Sequence, residues 1–154
     1  MNDSNEPRGR PPTPRALSQE ECLALIQRNY LAVVATVGAG EPYATPLIYG
    51  FEQGRFFFVT AEGRKTRNIA AQPLVCITIV ETEEHARKWQ SVLAYGTVSW
   101  LESEDEVNHA LAVMKRQYPG QSTRSSGGAA SLARAGFKMG QVQTRELSGR
   151  AQGY

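Results

Sequence analysis

The sequence has few of the residues that build metal centres or disulfide frameworks. It contains two cysteines, Cys22 and Cys76, and two histidines, His85 and His109, and the members of each pair are far apart. No CxxC motif or close Cys/His pairing occurs, so we expect no metal site. No apolar run approaches the roughly 18 residues of a membrane helix, and the N-terminal stretch has no apolar core of a secretory signal. We therefore expect a cytoplasmic protein with reduced thiols and no membrane association.

An excess of one charge is also missing. The formal net charge is +2. Residues 16–120 carry nine basic and twelve acidic side chains, and only residues 121–154, with five basic and one acidic, are clearly basic. A nucleic-acid surface would concentrate positive charge on the folded body, so we expect no nucleic-acid partner.

The composition divides the chain into a tail and one domain. Residues 1–15 hold four of the eight prolines and almost no large apolar side chains, which predicts a disordered tail. Residues 16–154 have the length and apolar content of a single domain. Within it, residues 121–135 are rich in Ser, Gly and Ala, and we predict a flexible insertion there.

The apolar pattern predicts a mainly β protein with short helices. Six β-branched or aromatic runs are joined by turn residues, at 31–37, 43–51, 55–61, 73–81, 90–102 and 136–147. Helices are predicted to begin at Ser18, after Gly63 and at Ser103, the first and last with capping-box spacing. Six strands in mostly antiparallel order favour a small closed barrel. Pro46 lies inside the second run and must therefore occupy an edge, a bulge or a ligand-facing position.

A basic cluster opens the second helix. In the stretch FFVTAEGRKTRNIAAQ, Arg64, Lys65 and Arg67 fall within four positions. Cations are disfavoured at a helix N-terminus, which carries partial positive charge. Either these side chains are solvated, or they bind an anion such as a phosphate.

Several stretches together resemble a known family. They are LAVVATVGAGEPYATPLIYGF (31–51), FFFVTAEGRKTRNIAAQPLVCITI (56–79), SVLAYGTVSWLE (91–102), MKRQYPG (114–120) and TRELSGRA (144–151). In order and spacing, they resemble the flavin-binding split-barrel proteins of the pyridoxamine 5′-phosphate oxidase-like superfamily. The subgroup with the nitroimidazole-resistance proteins is the most similar.

The resemblance implies a six-stranded antiparallel split β-barrel that forms a homodimer and binds FMN in a groove at the subunit interface. FAD would use the same phosphate site. The implied cofactor-binding residues are the phosphate-side Thr60, Gly63, Arg64 and Lys65, the ring-side Thr45, Pro46, Leu47 and Ile48, and Ser91, which would serve the partner's flavin. From the apolar runs themselves, we expect the dimer interface around Val92, Ala94 and Val98.

The implied function is a flavin-dependent oxidoreductase that reduces a small molecule, with NADH or NADPH as the electron source. No side chain is expected to be catalytic, because Val59 replaces the histidine common in nitroimidazole-resistance relatives. The substrate residues of a true pyridoxamine phosphate oxidase are missing, so oxidation of vitamin B6 is not predicted. The alternatives are a non-catalytic flavin carrier or sensor, and a binder of deazaflavin or haem on the same fold.

Overall fold

The computed structural model describes residues 13–83, 85–118, 120 and 128–154, which form eight strands and four helices. The strands are β1 (Arg15–Ala16), β2 (Leu31–Gly38), β3 (Glu41–Ile48), β4 (Gly50–Glu52), β5 (Arg55–Ala61), β6 (Leu74–Glu83), β7 (Lys88–Leu101) and β8 (Phe137–Gln152). The helices are α1 (Gln19–Arg28), α2 (Arg64–Ala71), α3 (Glu104–Gln117) and α4 (Gly128–Arg134). In this described part of the chain, no helix has the length and hydropathy needed to span a membrane.

Local sequence signals set the helix starts. The Ser18 hydroxyl accepts a hydrogen bond from the Glu21 N–H, and the Glu21 carboxylate accepts one from the Ser18 N–H, at 3.1 and 2.8 Å. The predicted capping box of α1 is therefore confirmed. Ser103 caps α3 by accepting from the Glu106 N–H at 3.3 Å. Both caps satisfy backbone donors that the helix itself leaves unpaired.

The strands form one antiparallel sheet in the order β3-β2-β6-β7-β8-β5-β4, and β1 pairs with β8. The chain passes from β3, at one end of this order, to β4, at the other end, through Tyr49 alone. Tyr49 is fully buried, and its hydroxyl donates to the Ile26 carbonyl at 2.7 Å. This buried corner brings the two ends of the sheet together as a split barrel. The predicted fold is confirmed, with the second predicted strand divided at Tyr49 and the short β1 added.

Alternate residues of β5 face two different cores. Phe56 and Phe58 point into the barrel and pack in the main apolar cluster, which α1 covers with Leu25 and Ile26. Phe57 faces the other way into a second cluster beneath α3. Since successive side chains of a strand point to opposite faces, β5 connects the barrel interior to the α3 layer.

Two segments predicted to lack order contain residues that the structure places in a strand or a helix. Arg15, assigned to the disordered tail, lies in β1 opposite Ala151; residues 1–12 lie outside the described residues. The second half of the predicted flexible insertion is helix α4, which packs on α3 and β8. The Ala129 N–H donates to the Asn108 side-chain oxygen at 3.1 Å. Ala129, Ala130, Leu132, Ala133 and Arg134 are good helix formers, and this tertiary contact stabilises the start of the helix. Residues 121–127 lie outside the described residues.

Candidate functional site

A cleft of about 380 Å³ lies beside the split of the barrel. Edge strand β3 forms one side, and β5 with helices α2, α3 and α4 forms the rest. The lining residues are Pro46, Leu47, Ile48, Val59, Lys65, Leu111, Met114 and Leu132. All of these except Lys65 are apolar, so the cleft is an apolar slot with one cation.

The open edge of β3 makes this slot accessible. Among the described residues β3 pairs only with β2, and Pro46 lies opposite Val33 in that pair. Proline has no N–H to leave unpaired, so the edge position predicted for Pro46 is confirmed. The neighbouring Thr45 has a buried hydroxyl oxygen with no hydrogen-bond partner among the residues that the structure describes. Thr45 shares its face of the strand with Leu47, which is buried in the main core, and Thr45 itself does not line the cleft.

Of the described residues, Lys65 is the one charged side chain lining this cleft. It is half-buried, and within the described parts of the chain it has neither an ion pair nor a hydrogen-bond partner. Burial lowers the pKa of its ammonium group. Lys65 is the second residue of α2, whose first N–H groups have no carbonyl partner within the helix. An unpaired cation beside free backbone donors forms an anion-binding arrangement.

The other two cations of the cluster face elsewhere. The Arg64 guanidinium donates to the Glu41 carboxylate at 3.1 Å and lies 4.5 Å from the centre of the Tyr43 ring. Arg67 is exposed on the surface of α2. The repulsion expected among three like charges is therefore reduced by one ion pair and by solvation, and Lys65 alone points into the slot.

Helix α2 is held against the barrel by a buried polar contact. The Asn68 side-chain amide donates to the Thr36 hydroxyl at 3.0 Å, and both residues are buried. Gly38 leaves room for this contact, because a Cβ there would lie 1.8 Å from the Asn68 side-chain oxygen. Since a buried hydrogen bond of this kind is costly to break, it fixes the position of Lys65 relative to β2 and β3.

An acidic side chain at the start of α2 is neutralised locally. The Glu62 carboxylate accepts from the Thr66 hydroxyl at 2.9 Å and pairs with the Lys138 ammonium at 2.6 Å. These contacts, the one with Lys138 first, lower the pKa of Glu62. The Lys138 ammonium also lies 4.2 Å from the centre of the Trp100 ring. Because Lys138 balances Glu62, the charge of Lys65 remains uncompensated.

The structure brings together part of the predicted site. Pro46, Leu47, Ile48 and Lys65 line one cleft, with the unpartnered Thr45 beside them. Gly63 precedes α2, and its N–H donates to the Thr66 hydroxyl at 2.9 Å. The Thr60 hydroxyl instead donates to the Ala61 carbonyl, and Thr60 does not line the cleft.

Ser91 is separated from this cleft within the chain. It lies on β7, opposite Val80, and β2 and β6 lie between β7 and the cleft strand β3. With two strands between them, β7 lies three strand spacings, or about 14 Å, from β3 along the sheet. The structure therefore does not bring Ser91 together with the other predicted residues.

Sequence reasoning missed the helical wall of the cleft. Leu111 and Met114 belong to the amphipathic pattern of α3 and read as core residues. Leu132 lies in the Ser/Gly/Ala-rich segment, where an isolated leucine was the one available signal. Helical periodicity predicts that such side chains are covered, but not which neighbouring cavity they border.

The chain belongs to the pyridoxamine 5′-phosphate oxidase family, whose family model matches residues 18–151. No curated protein matches the chain significantly. Among solved structures, a FAD-binding protein from Mesorhizobium loti is 25% identical, with a TM-score of 0.72 over 90% of this chain and 97% of that one. A candidate 5-nitroimidazole antibiotic resistance protein from Bacteroides thetaiotaomicron is 20% identical, with a TM-score of 0.75 over 90% and 89%. The FAD-binding protein of Mycobacterium smegmatis is 17% identical, with a TM-score of 0.67 over 91% and 99%.

The residues of the cleft fit a flavin nucleotide. Apolar walls suit a planar aromatic ring, and Lys65, without a partner among the described residues, suits a phosphate.

Proposed function

We propose that this protein binds FMN in the cleft, with Lys65 as its principal phosphate ligand. The observation that carries the proposal is the single cation in an otherwise apolar slot, without a partner among the described residues. The flavin ring would lie along β3, between Thr45 and Ile48. FAD shares the phosphate group, and the FAD-binding relative from Mesorhizobium loti supports it as a second ligand of the same site.

We infer that the bound flavin makes the protein an oxidoreductase for a small molecule, with NADH or NADPH as electron source, in the cytoplasm. The flavin supplies electron and hydride transfer when bound. The chain's own residues hold the phosphate, orient the ring and exclude water. Apart from Lys65, none of the described residues lining the cleft is titratable, so these residues supply no other acid or base there.

The test compares FMN with riboflavin, which has the same ring and no phosphate. Lys65→Met keeps the apolar stem and removes the charge. A lost charge-assisted contact corresponds to about 10- to 150-fold weaker FMN binding, while riboflavin affinity should stay unchanged. The matched control is Arg67→Met on the exposed face of the same helix, which should leave both affinities unchanged. If Lys65→Met weakens both ligands equally, or neither, Lys65 is not a phosphate ligand.

A non-catalytic flavin carrier or sensor is the second candidate. Val59, in the cleft wall, cannot transfer protons, and this favours binding without turnover. The two functions differ in one assay. Continuous oxidation of NADH or NADPH by the flavin-loaded protein supports the enzyme, whereas tight FMN binding without turnover supports the carrier.

We further propose that two copies associate through the outer face of β2 and β6. Leu31, Val33 and Val37 of β2 and Val80 of β6 are 55%, 43%, 46% and 56% exposed on that face. The interface predicted around Val92, Ala94 and Val98 is not available in this chain, since all three are buried in the barrel core. Ser91 lies on the outer face instead, where a second copy could approach it.

The two cysteines provide an internal reporter for this association. Cys76 lies on the outer face with partial exposure, whereas Cys22 is buried in the core. Light scattering should show a dimer, and Val33→Glu should give a monomer in which Cys76 reacts faster with a thiol reagent. Cys22 should stay unreactive in both. A wild-type monomer would refute the association.

A further inference from the structure

A second, smaller cavity of about 230 Å³ lies on the other flank of α3. Its apolar floor includes Phe57 of β5 and Leu101 at the end of β7. Its rim carries Arg55, Asp105 and Glu106. The volume lies below the roughly 300–1,000 Å³ of sites for drug-sized ligands, so its ligand must be small.

Opposite charges line this cavity without pairing. Arg55 has no carboxylate partner, and Asp105 and Glu106 have no cationic partner, among the described residues. Flexible side chains of opposite charge that share a small space normally form ion pairs. A gap therefore separates the guanidinium from the two carboxylates.

The positions of these charges are set by neighbouring groups. The Arg55 guanidinium donates to the Gln141 side-chain oxygen at 3.2 Å and lies 5.1 Å from the centre of the Phe57 ring. Asp105 and Glu106 lie in the first turn of α3, where the helix dipole favours carboxylates. Gln141 and Phe57 hold the Arg55 guanidinium from the strand side of the cavity. Its other N–H groups therefore remain available for a ligand.

The remaining polar side chain of the cavity is already engaged. The His109 ring nitrogen bonds to the Glu52 carboxylate, which also accepts from Arg116. The His109 ring meets the Phe57 ring edge to face, with centroids 6.5 Å apart. His109 therefore completes the wall and leaves Arg55 and the two acids as the free charged groups.

We propose that this cavity binds a small zwitterion with an apolar body, of the class of the aliphatic α-amino acids. Its carboxylate binds Arg55, its ammonium group lies toward Asp105 and Glu106, and its side chain packs on Phe57 and Leu101. The charge pattern selects this class, because a carboxylic acid alone meets two like charges and an amine alone leaves Arg55 unpaired. The site is distinct from the flavin cleft and does not depend on it.

The test uses L-leucine and two analogues that each lack one charge, 3-methylbutylamine and 4-methylpentanoate. Binding is followed by amide chemical shifts in the 15N-labelled protein. Leucine should perturb the amides around Arg55 and Asp105, and each analogue should bind at least about tenfold more weakly, the value of one charge-assisted contact. No binding of leucine in the millimolar range, or equal binding of all three, would overturn the proposal.

Substitutions assign each charge. Arg55→Gln should weaken leucine and 4-methylpentanoate about tenfold or more and leave the amine unchanged. Asp105→Asn combined with Glu106→Gln should weaken leucine and the amine instead. The matched controls are Glu104→Gln, in the same helical turn, and Arg145→Gln, on exposed β8; neither residue lines the cavity, and neither change should alter binding. Loss of all three ligands in both variants would indicate a general packing defect and contradict the assignment.

Discussion

Two cavities lie over neighbouring residues of one strand, and they differ in charge. Val59 belongs to the flavin cleft and Phe57 to the smaller cavity, two residues and about 7 Å apart on the same face of β5. Helix α3 separates them, with Leu111 and Met114 on the cleft flank and Asp105 on the other. Both have apolar floors. The cleft adds one cation, whereas the small cavity adds a cation and two acids.

This comparison shows how similar packing can serve different ligands. The apolar floors follow from the alternation of β5 and the amphipathic pattern of α3, which any buried helix on a sheet requires. The charges come from the rims: Lys65 on α2 for the cleft, Arg55 and the start of α3 for the small cavity. The rim charges therefore set the ligand class, while the shared core sets only the size and shape.

The largest expected effect is the loss of both cavities together. Gly50 lies against α3, and a Cβ there would be 2.7 Å from the Met114 nitrogen and 2.8 Å from its Cα. Gly50→Ala should move α3 and destabilise the fold by about 1–3 kcal/mol, the cost of overpacking. Urea unfolding gives the stability, and FMN and leucine titrations should both weaken.

A matched glycine separates this packing effect from a general glycine effect. A Cβ at Gly63 would meet no atom within 4 Å. Gly63→Ala should therefore change stability by less than about 0.5 kcal/mol. If both variants are equally destabilised, close packing against Met114 is not the cause.

Asn68→Ala should affect the cleft and spare the smaller cavity. It removes the buried bond to Thr36 that holds α2, at a cost of about 1–3 kcal/mol. FMN should bind more weakly because Lys65 loses its fixed position, while leucine binding should stay the same. A double-mutant cycle with Thr36→Val measures the coupling. Independent, additive effects of the two substitutions would show that the contact does not anchor α2.

Local sequence signals predicted the positions of the helices and strands better than they predicted which face of each strand is buried. The capping box of α1, the Ser103 cap of α3 without its predicted reciprocal Glu106 contact, the barrel and the edge position of Pro46 follow from residues adjacent in the chain. The interface prediction at Val92, Ala94 and Val98 is wrong because a shift of one residue on a strand moves every side chain to the other face. Apolarity alone does not distinguish these residues from Leu93 on the outer face, since both sets belong to one continuous run.

Contacts distant in sequence decided the rest of the site. The basic cluster predicted an anion site, and Lys65 fits it, but Arg64 pairs with Glu41, 23 residues away. Helix α4 packs on Asn108 and the α3 surface, contacts that the Ser/Gly/Ala-rich composition of residues 121–135 did not predict. The local sequence pattern predicts neither the contact of Arg64 with Glu41 nor that of α4 with Asn108, because each depends on how the sheet closes.

A smaller effect concerns the stability of the protein in acid, which depends on the contacts of Glu52 with α3 beside the small cavity. The contact with His109 first, and that with Arg116, lower the pKa of Glu52 below its ordinary 4.5. A lowered folded-state pKa gives stabilisation that is present above the unfolded value and lost as the pH falls through the folded value. The melting temperature of Glu52→Gln should be below that of the wild type at neutral pH, and the difference should shrink as the pH falls below the ordinary 4.5 and through the lowered folded-state pKa. A difference independent of pH would mean that packing, not charge, is responsible.

The smallest expected effect tests the ion pair beside the cleft. Glu41 holds Arg64 at 3.1 Å, and both side chains are largely exposed. Such pairs contribute about 0.2–1 kcal/mol, so releasing Arg64 toward a phosphate should tighten FMN binding by about 1.4- to 5-fold. Glu41→Gln should show this gain at low salt and lose it at high salt, because exposed charges are screened.

The control for this gain is the same substitution in an Arg64→Gln background, where FMN affinity should not rise. Riboflavin, which lacks the phosphate, should not respond in either background. If Glu41→Gln weakens FMN instead, Glu41 positions Arg64 for the phosphate and does not compete with it. In that case Arg64 and Lys65 would both bind the phosphate at the rim of the cleft. Lys65→Met should then lose less FMN affinity than it would if Lys65 were the sole phosphate ligand.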